Sequence, residues 1–369
     1  MKIAIISHSA KPISEYSQGY LEMFTYNLIL GLLEEGMDVT LFAKYGSTVP
    51  CQLYTFNFNS IDWNYDETAK SEDSLSVKKA IEEQHAYFEV FNIIRNSSFS
   101  MVHNVSLHQI PVFTAQFLPI PTLTSLHTAP FASLQSSIRL NQDRKNYYTT
   151  ISHELNTLWS PHTRINDVIY CGVDENQKKF HKYAAENRAI WIADVTRANR
   201  LVDVIQVCDE LGLRLWIIGA IPNEAFYTYI IKPLLSDTIE YLGDLGVEES
   251  MKYLKRSQVM ILTKSDPDYS GSDILKSLSL GTPVAAYESP DIVEFLNSDC
   301  GAFAIDNNPR ALKTAVVHAS AKNREDCRNF VLNHHTRKKM VKEYIALYRK
   351  ISNESMAYSG TDTLNSFLI

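Results

Sequence analysis

A few short stretches of the chain carry side chains suited to a charged or polyhydroxylated ligand. His127 ends an apolar run and precedes Thr128-Ala129-Pro130, so its imidazole falls at a strand end, where it can hydrogen-bond the contents of a cleft. Ser270-Gly271-Ser272 leads into a helical pattern, and successive backbone N–H groups at a helix start can cradle an anion. Glu22 stands in the loop before the first long helix, just after Gly19 and Tyr20. A carboxylate there can orient ligand hydroxyls, and it equally stabilises the helix dipole. Gly19 permits close backbone approach or positive φ, although a plain turn explains it as well. His103 lies at another strand end and His108 just beyond it, the latter suiting a solvated loop. Tyr20, Tyr269 and Tyr287 offer faces on which a sugar or base could stack. His334 and His335 stand in a basic helical stretch with Arg337, Lys338 and Lys339, which reads as a solvated face without metal-ligand spacing. The chain contains no P-loop, no GxSxG elbow, no HExxH and no dinucleotide GxGxxG, which disfavours ATPases, hydrolases, zincins and dehydrogenases.

These residues must be held by alternating strands and helices. Lys2 to Ser7 reads as a strand, a helical pattern follows at Met23, Tyr26, Leu30 and Leu33, Gly36 closes it, and Asp38 to Ala43 is a second strand. That is a βαβ unit. Further strands are expected at Ser100 to His103, Thr122 to Leu126 and Tyr148 to Ile151. A second series is expected at Ala189 to Ile192, Leu215 to Ile218, Ile239 to Leu242, Val259 to Leu262 and Pro283 to Ala286. The alternation predicts doubly wound α/β sheets with ligands at the carboxyl ends of their strands. The polar stretch from Asn57 to Ser76 reads as a long surface loop. With 369 residues, two domains are expected: 1–165 and 166–335, followed by a helix at 336–351 and a mobile tail at 352–369.

Composition narrows the setting. Hydrophobic residues at 45% and charged residues at 21% suit a globular chain. A net charge of −7 argues against broad nucleic-acid binding, which needs a concentrated basic face, while a local basic patch leaves room for peripheral contact with a membrane surface. Cys51, Cys171, Cys208, Cys300 and Cys327 show no CxxC spacing and are odd in number, which fits a reducing cytoplasm. The run Ile3-Ala4-Ile5-Ile6 is too short for a signal peptide, and no segment approaches the ~20 apolar residues of a membrane span.

Several stretches, in order along more than 300 residues, resemble the GT-B glycosyltransferases of family four, the group of sucrose-phosphate synthases and many bacterial surface-glycan enzymes. Gly19-Tyr20-Leu21-Glu22 resembles the family's Gly-Gly-x-Glu loop, and Gly36-Met37-Asp38-Val39-Thr40-Leu41 the strand entry that follows it. Met101-Val102-His103-Asn104, Thr124-Ser125-Leu126-His127, Ile151-Ser152 and Cys171-Gly172-Val173-Asp174 are similar to later motifs of the first half and linker. Tyr241-Leu242-Gly243 and Leu280-Gly281-Thr282-Pro283-Val284 resemble motifs of the second half, and Met340 to Tyr348 looks like the closing helix that in the family crosses back onto the first domain, which implies the same for 336–351. The resemblance implies two Rossmann-like domains facing across a cleft, the acceptor on the first and a nucleotide-sugar donor on the second. It further implies retaining transfer as the domains close, with no metal and no cofactor beyond the nucleotide-sugar co-substrate.

On that alignment His127 contacts the transferred sugar, and Gly19, Tyr20, Glu22 and His103 line the acceptor side. The family's Gly-Arg…Lys-Gly phosphate grip falls on Ala193 to Arg200, where Asp194 replaces the arginine and Asn199 the lysine. Its two carboxylates, with seven residues between them, fall on Asp268 and Lys276. Asp268 keeps a shorter acid, whereas Lys276 substitutes a donor for an acceptor. Arg197, Arg200, Lys264 and Lys276, with the Ser270, Gly271 and Ser272 amides, are the groups that could take over the diphosphate. Three readings follow: a transferase with a rearranged donor site, a non-catalytic GT-B protein that binds a glycan, nucleotide or partner, and an epimerase or phosphorylase on the same body. Donor, acceptor and oligomeric state are open.

Overall fold

Both halves of the chain are built on parallel strands whose apolar runs are buried on two faces, as helices on either side of a sheet require. The computed structural model describes residues 1–365 apart from 18, 57, 59–71, 142, 144, 176–179, 185–186 and 265–269, and of 72–75 and 356–365 the backbone only. The expected loop from Asn57 therefore lies mostly outside the described residues. Its last part is a correction: a helix runs from Glu72 to Arg95.

Contacts divide the chain into two units, Met1–Tyr170 with Met340–Ile369, and Cys171–Lys339. The strands of the first are β1 (Lys2–Ile6), β2 (Asp38–Ala43), β3 (Gln52–Thr55), β4 (Met101–Asn104), β5 (Thr122–Leu126), β6 (Asn146–Thr150) and β7 (Asp167–Val168). They pair in parallel in the order β3-β2-β1-β4-β5-β6-β7. Ile3 sits opposite Val39 on one side and Met101 on the other, so the winding reverses between β1 and β4. Ile3, Ala4, Ile5, Leu41 and Phe42 have no exposed surface, each large side chain contributing roughly 1.5–3 kcal/mol of burial.

The second unit repeats the plan. Its strands are β8 (Arg188–Ile192), β9 (Arg214–Ile218), β10 (Ile239–Gly243), β11 (Val259–Leu262), β12 (Val284–Tyr287) and β13 (Gly301–Ala304), ordered β10-β9-β8-β11-β12-β13. Here the reversal falls between β8 and β11. Trp191, Leu215, Ile217, Val259 and Ile261 pack against Val204, Cys208, Leu312 and Val316 of flanking helices. Such reversals open the crevice in which ligands of doubly wound sheets bind.

The last helix runs from Arg337 to Asn365. The polar stretch after Ile351, expected to be a mobile tail, is helical as far as Asn365. From Met340 onward the helix belongs to the first unit, and its Val341 side chain fills the space that a Cβ on Gly31 would need. No helix among the described residues is long and apolar enough to cross a membrane.

Candidate functional site

β8 runs out into the segment where the resemblance places a phosphate grip, and that segment is tied to itself. The Asn199 side chain donates to the Asp194 carbonyl at 2.8 Å, its backbone N–H reaches the Thr196 hydroxyl at 3.3 Å, and its carbonyl accepts from the Thr263 hydroxyl at 2.5 Å. A lysine at 199 could form the backbone bonds but not the amide strap. Arg200 then adopts a left-handed conformation, φ 53°. Its guanidinium pairs with Asp203 at 2.5 Å, lies 4.2 Å from the Tyr287 ring centre and donates to the Asn307 carbonyl at 3.2 Å. Tyr287 donates to the same Asp203 at 2.9 Å and is 7% exposed. Arg200, expected as a phosphate ligand, and Tyr287, expected as a stacking face, are in this structure each engaged by the other and by Asp203. The i,i+3 spacing of Arg200 and Asp203 was the available signal.

Arg197 is exposed, with its guanidinium 5.5 Å from the Phe226 ring centre. Lys264 and Lys276 are half-buried. Asp268 and Tyr269 lie outside the described residues. Ser270 is buried, and its hydroxyl accepts from the Ser272 N–H at 3.4 Å. Gly271 caps the helix Ser272–Ser279 with φ +70°, and a Cβ there would collide with the Phe295 ring. The turn at Gly271 therefore needs glycine on two grounds, backbone conformation and space. Among the described residues no group of three His, Cys, Asp or Glu could hold a metal ion.

At the carboxyl edge of the first sheet, β5 presents His127. The imidazole is 2% exposed, shares a 3.2 Å hydrogen bond at Nδ1 with the Tyr20 hydroxyl and lies edge-on to Phe24 at 4.4 Å. Nε2 is sealed and has no hydrogen-bond partner among the described residues. Burial pushes the pKa down to about 3, so the ring is neutral. Tyr20 and His127, distant in sequence, are thus brought together, while the ring itself is enclosed.

His103, expected on the acceptor side, is a correction. It is fully buried, with Nδ1 bonded to the Tyr348 hydroxyl at 2.6 Å and Nε2 to the Ser125 hydroxyl at 2.7 Å. Burial, with the nearby His127, lowers its pKa to about 3. It fastens the last helix to the sheet. His335, read as part of a solvated face, is also buried, with a pKa lowered to about 4 by burial; its carbonyl accepts from the Val173 N–H at 2.9 Å.

Glu22 is 5% exposed and its carboxylate folds back over Gly19. Its neighbour is His8, overlooked in the sequence, whose Nε2 lies 3.4 Å from Oε1. The two are separated by a loop whose path no periodicity announces.

No protein-family profile matches the chain, and no curated protein matches it in sequence. Solved structures do match. A glycosyltransferase from Rickettsia africae superposes with a TM-score of 0.72 at 16% identity, over 95% of this chain and 98% of that one. AviGT4, a glycosyltransferase involved in avilamycin A biosynthesis, gives 0.66 at 17% identity over 95% and 98%. Anabaena HepE, solved in complex with UDP and glucose, gives 0.68 at 13% identity over 95% and 100%. Matched along nearly its whole length to these glycosyltransferases, with two parallel sheets wound in one strand order, the chain has the GT-B fold.

Proposed function

We propose that this protein transfers a sugar, with retention, from a nucleotide-sugar donor held by the second unit to a carbohydrate-containing acceptor held by the first, without a metal ion and in the cytoplasm. The observation that carries the reading is the helix start at Gly271 beside a Rossmann-ordered sheet, in a fold shared with a protein that binds UDP and glucose. A helix N-terminus stabilises the charge that builds on a departing diphosphate. Arg197, Lys264 and Lys276 are the cations proposed for that diphosphate. Five free cysteines, four of them buried, suit the proposed compartment.

The test is calorimetric titration with UDP, ADP, GDP and their glucose conjugates. At least one should bind, and Arg197→Ala and Lys276→Ala should each weaken it by about tenfold, the worth of one charge-assisted hydrogen bond. A second reading, a GT-B protein that binds without transfer, is favoured by one observation: Asp194 and Asn199 stand where the resemblance expects cations, and Asn199 straps that loop shut. It wins if no nucleotide binds the natural chain while Asp194→Arg with Asn199→Lys creates binding.

A further inference from the structure

Where the winding of the first sheet reverses, side chains from four elements meet. The loop after β1 delivers His8 and Ser9, the loop after β4 delivers His108, the helix Tyr20–Glu34 delivers Glu22 and the helix Glu72–Arg95 delivers Glu83. The backbone holds both histidines in one state. His8 Nδ1 accepts from the N–H groups of Ala10 at 3.2 Å and Lys11 at 3.4 Å, and His108 Nδ1 accepts from the Ile110 N–H at 3.2 Å. A neutral ring whose Nδ1 accepts carries its proton on Nε2, and burial lowers the pKa of both rings. Each is therefore a fixed Nε2–H donor. His8 turns that donor toward Glu22, and His108 is stacked on the Tyr87 ring, centroids 4.4 Å apart. Glu83 accepts from the Ser9 hydroxyl and acts electrostatically on both histidines. Lys11 and Lys44 also act on His8, with the Lys44 ammonium donating to the Ala10 carbonyl at 2.8 Å. His8, His108 and Glu83 are half-buried, and so remain within reach of a ligand.

Two N–H donors set among two carboxylates match the hydroxyl groups of a sugar ring, each of which gives one hydrogen bond and accepts another. They do not match an anion, because an ionised carboxylate only accepts, and a ligand phosphate or carboxylate would meet it lone pair against lone pair. We propose that His8, Glu83 and His108, with Glu22 orienting the His8 ring, form a binding site for an uncharged sugar, one that rejects sugars bearing phosphate or carboxylate. That this sugar is the acceptor rests on the transferase reading; that it binds does not.

Binding is therefore measured without any donor, by following the imidazole NMR signals of the isotope-labelled full chain. The probes are glucose, galactose, mannose, glucuronate and glucose 6-phosphate. At least one neutral hexose should shift the His8 and His108 signals saturably, with the two anionic sugars about tenfold weaker or worse, the worth of one hydrogen bond to a charged group. His108→Asn keeps an acceptor for the Ile110 N–H but withdraws the Nε2–H, which the shorter amide does not reach to replace, and should weaken the hexose about tenfold. Glu83→Gln should weaken the hexose and narrow the gap to glucuronate, a change that a merely structural residue would not produce. The proposal is overturned if no neutral hexose moves those signals, if glucuronate binds as well as the best hexose, or if both variants bind as the natural chain does. UDP titrated in parallel separates the two readings: hexose binding without UDP binding sinks the donor assignment alone.

Discussion

Gly271 faces the Phe295 ring with φ +70°, so any side chain there strains the backbone and displaces an aromatic at once. Gly271→Ala should cost about 2 kcal/mol or more, read as a lowered urea midpoint from the fluorescence of Trp191 and Trp216 in the same unit, and it should weaken nucleotide binding in parallel. The enclosed histidines set a pH response. His103 and His127 have folded pKa values near 3 against an unfolded value of about 6.5. Between those values the unfolded chain binds protons that the folded chain refuses, so stability falls as pH drops below about 6.5 and the loss continues to about 3. Each ring contributes a slope of up to about 1.4 kcal/mol per pH unit. Denaturation midpoints from pH 7 to pH 4.5 should show this slope, and His127→Gln should make it shallower; an unchanged slope would mean that His127 is solvated.

Among the elements, the last helix is held by a polar cluster that the sequence does not announce. Tyr348 bonds His103, and Ser125 joins His103, Thr149 and Tyr344. Tyr348→Phe strands a buried imidazole nitrogen and should cost about 1–3 kcal/mol, visible as a lowered thermal midpoint. Tyr344→Phe should cost less, since Ser125 keeps two partners. The central strands could be read from the chain because a strand covered on both faces is a nearly unbroken apolar run, as Lys2–Ile6 and Val259–Leu262 are. Gln52–Thr55, mostly exposed and polar, and the two-residue Asp167–Val168 lack that signal because edge strands are covered less. Gly301–Ala304, with one phenylalanine among glycine and alanines, is too short of β-branched residues to stand out. Candidate residues show the same divide. Types and positions pointed to His127, Glu22 and Gly271, but their partners Tyr20, His8 and Phe295 arrive through tertiary contacts that no spacing rule encodes.

For the whole molecule, one strand order serves twice, and each sheet carries polar residues beyond the reversal in its winding. The first unit ends with a segment from the far end of the chain. Tyr344 and Tyr348 follow Tyr170 only after the whole of Cys171–Lys339. As the polypeptide leaves the ribosome, the amino-terminal unit must wait with His103 and Ser125 uncovered until the final turns emerge. The second unit, being continuous, can finish first, which reverses the usual order of vectorial folding. Translation arrested before residue 340 would leave the earliest-made half the least complete.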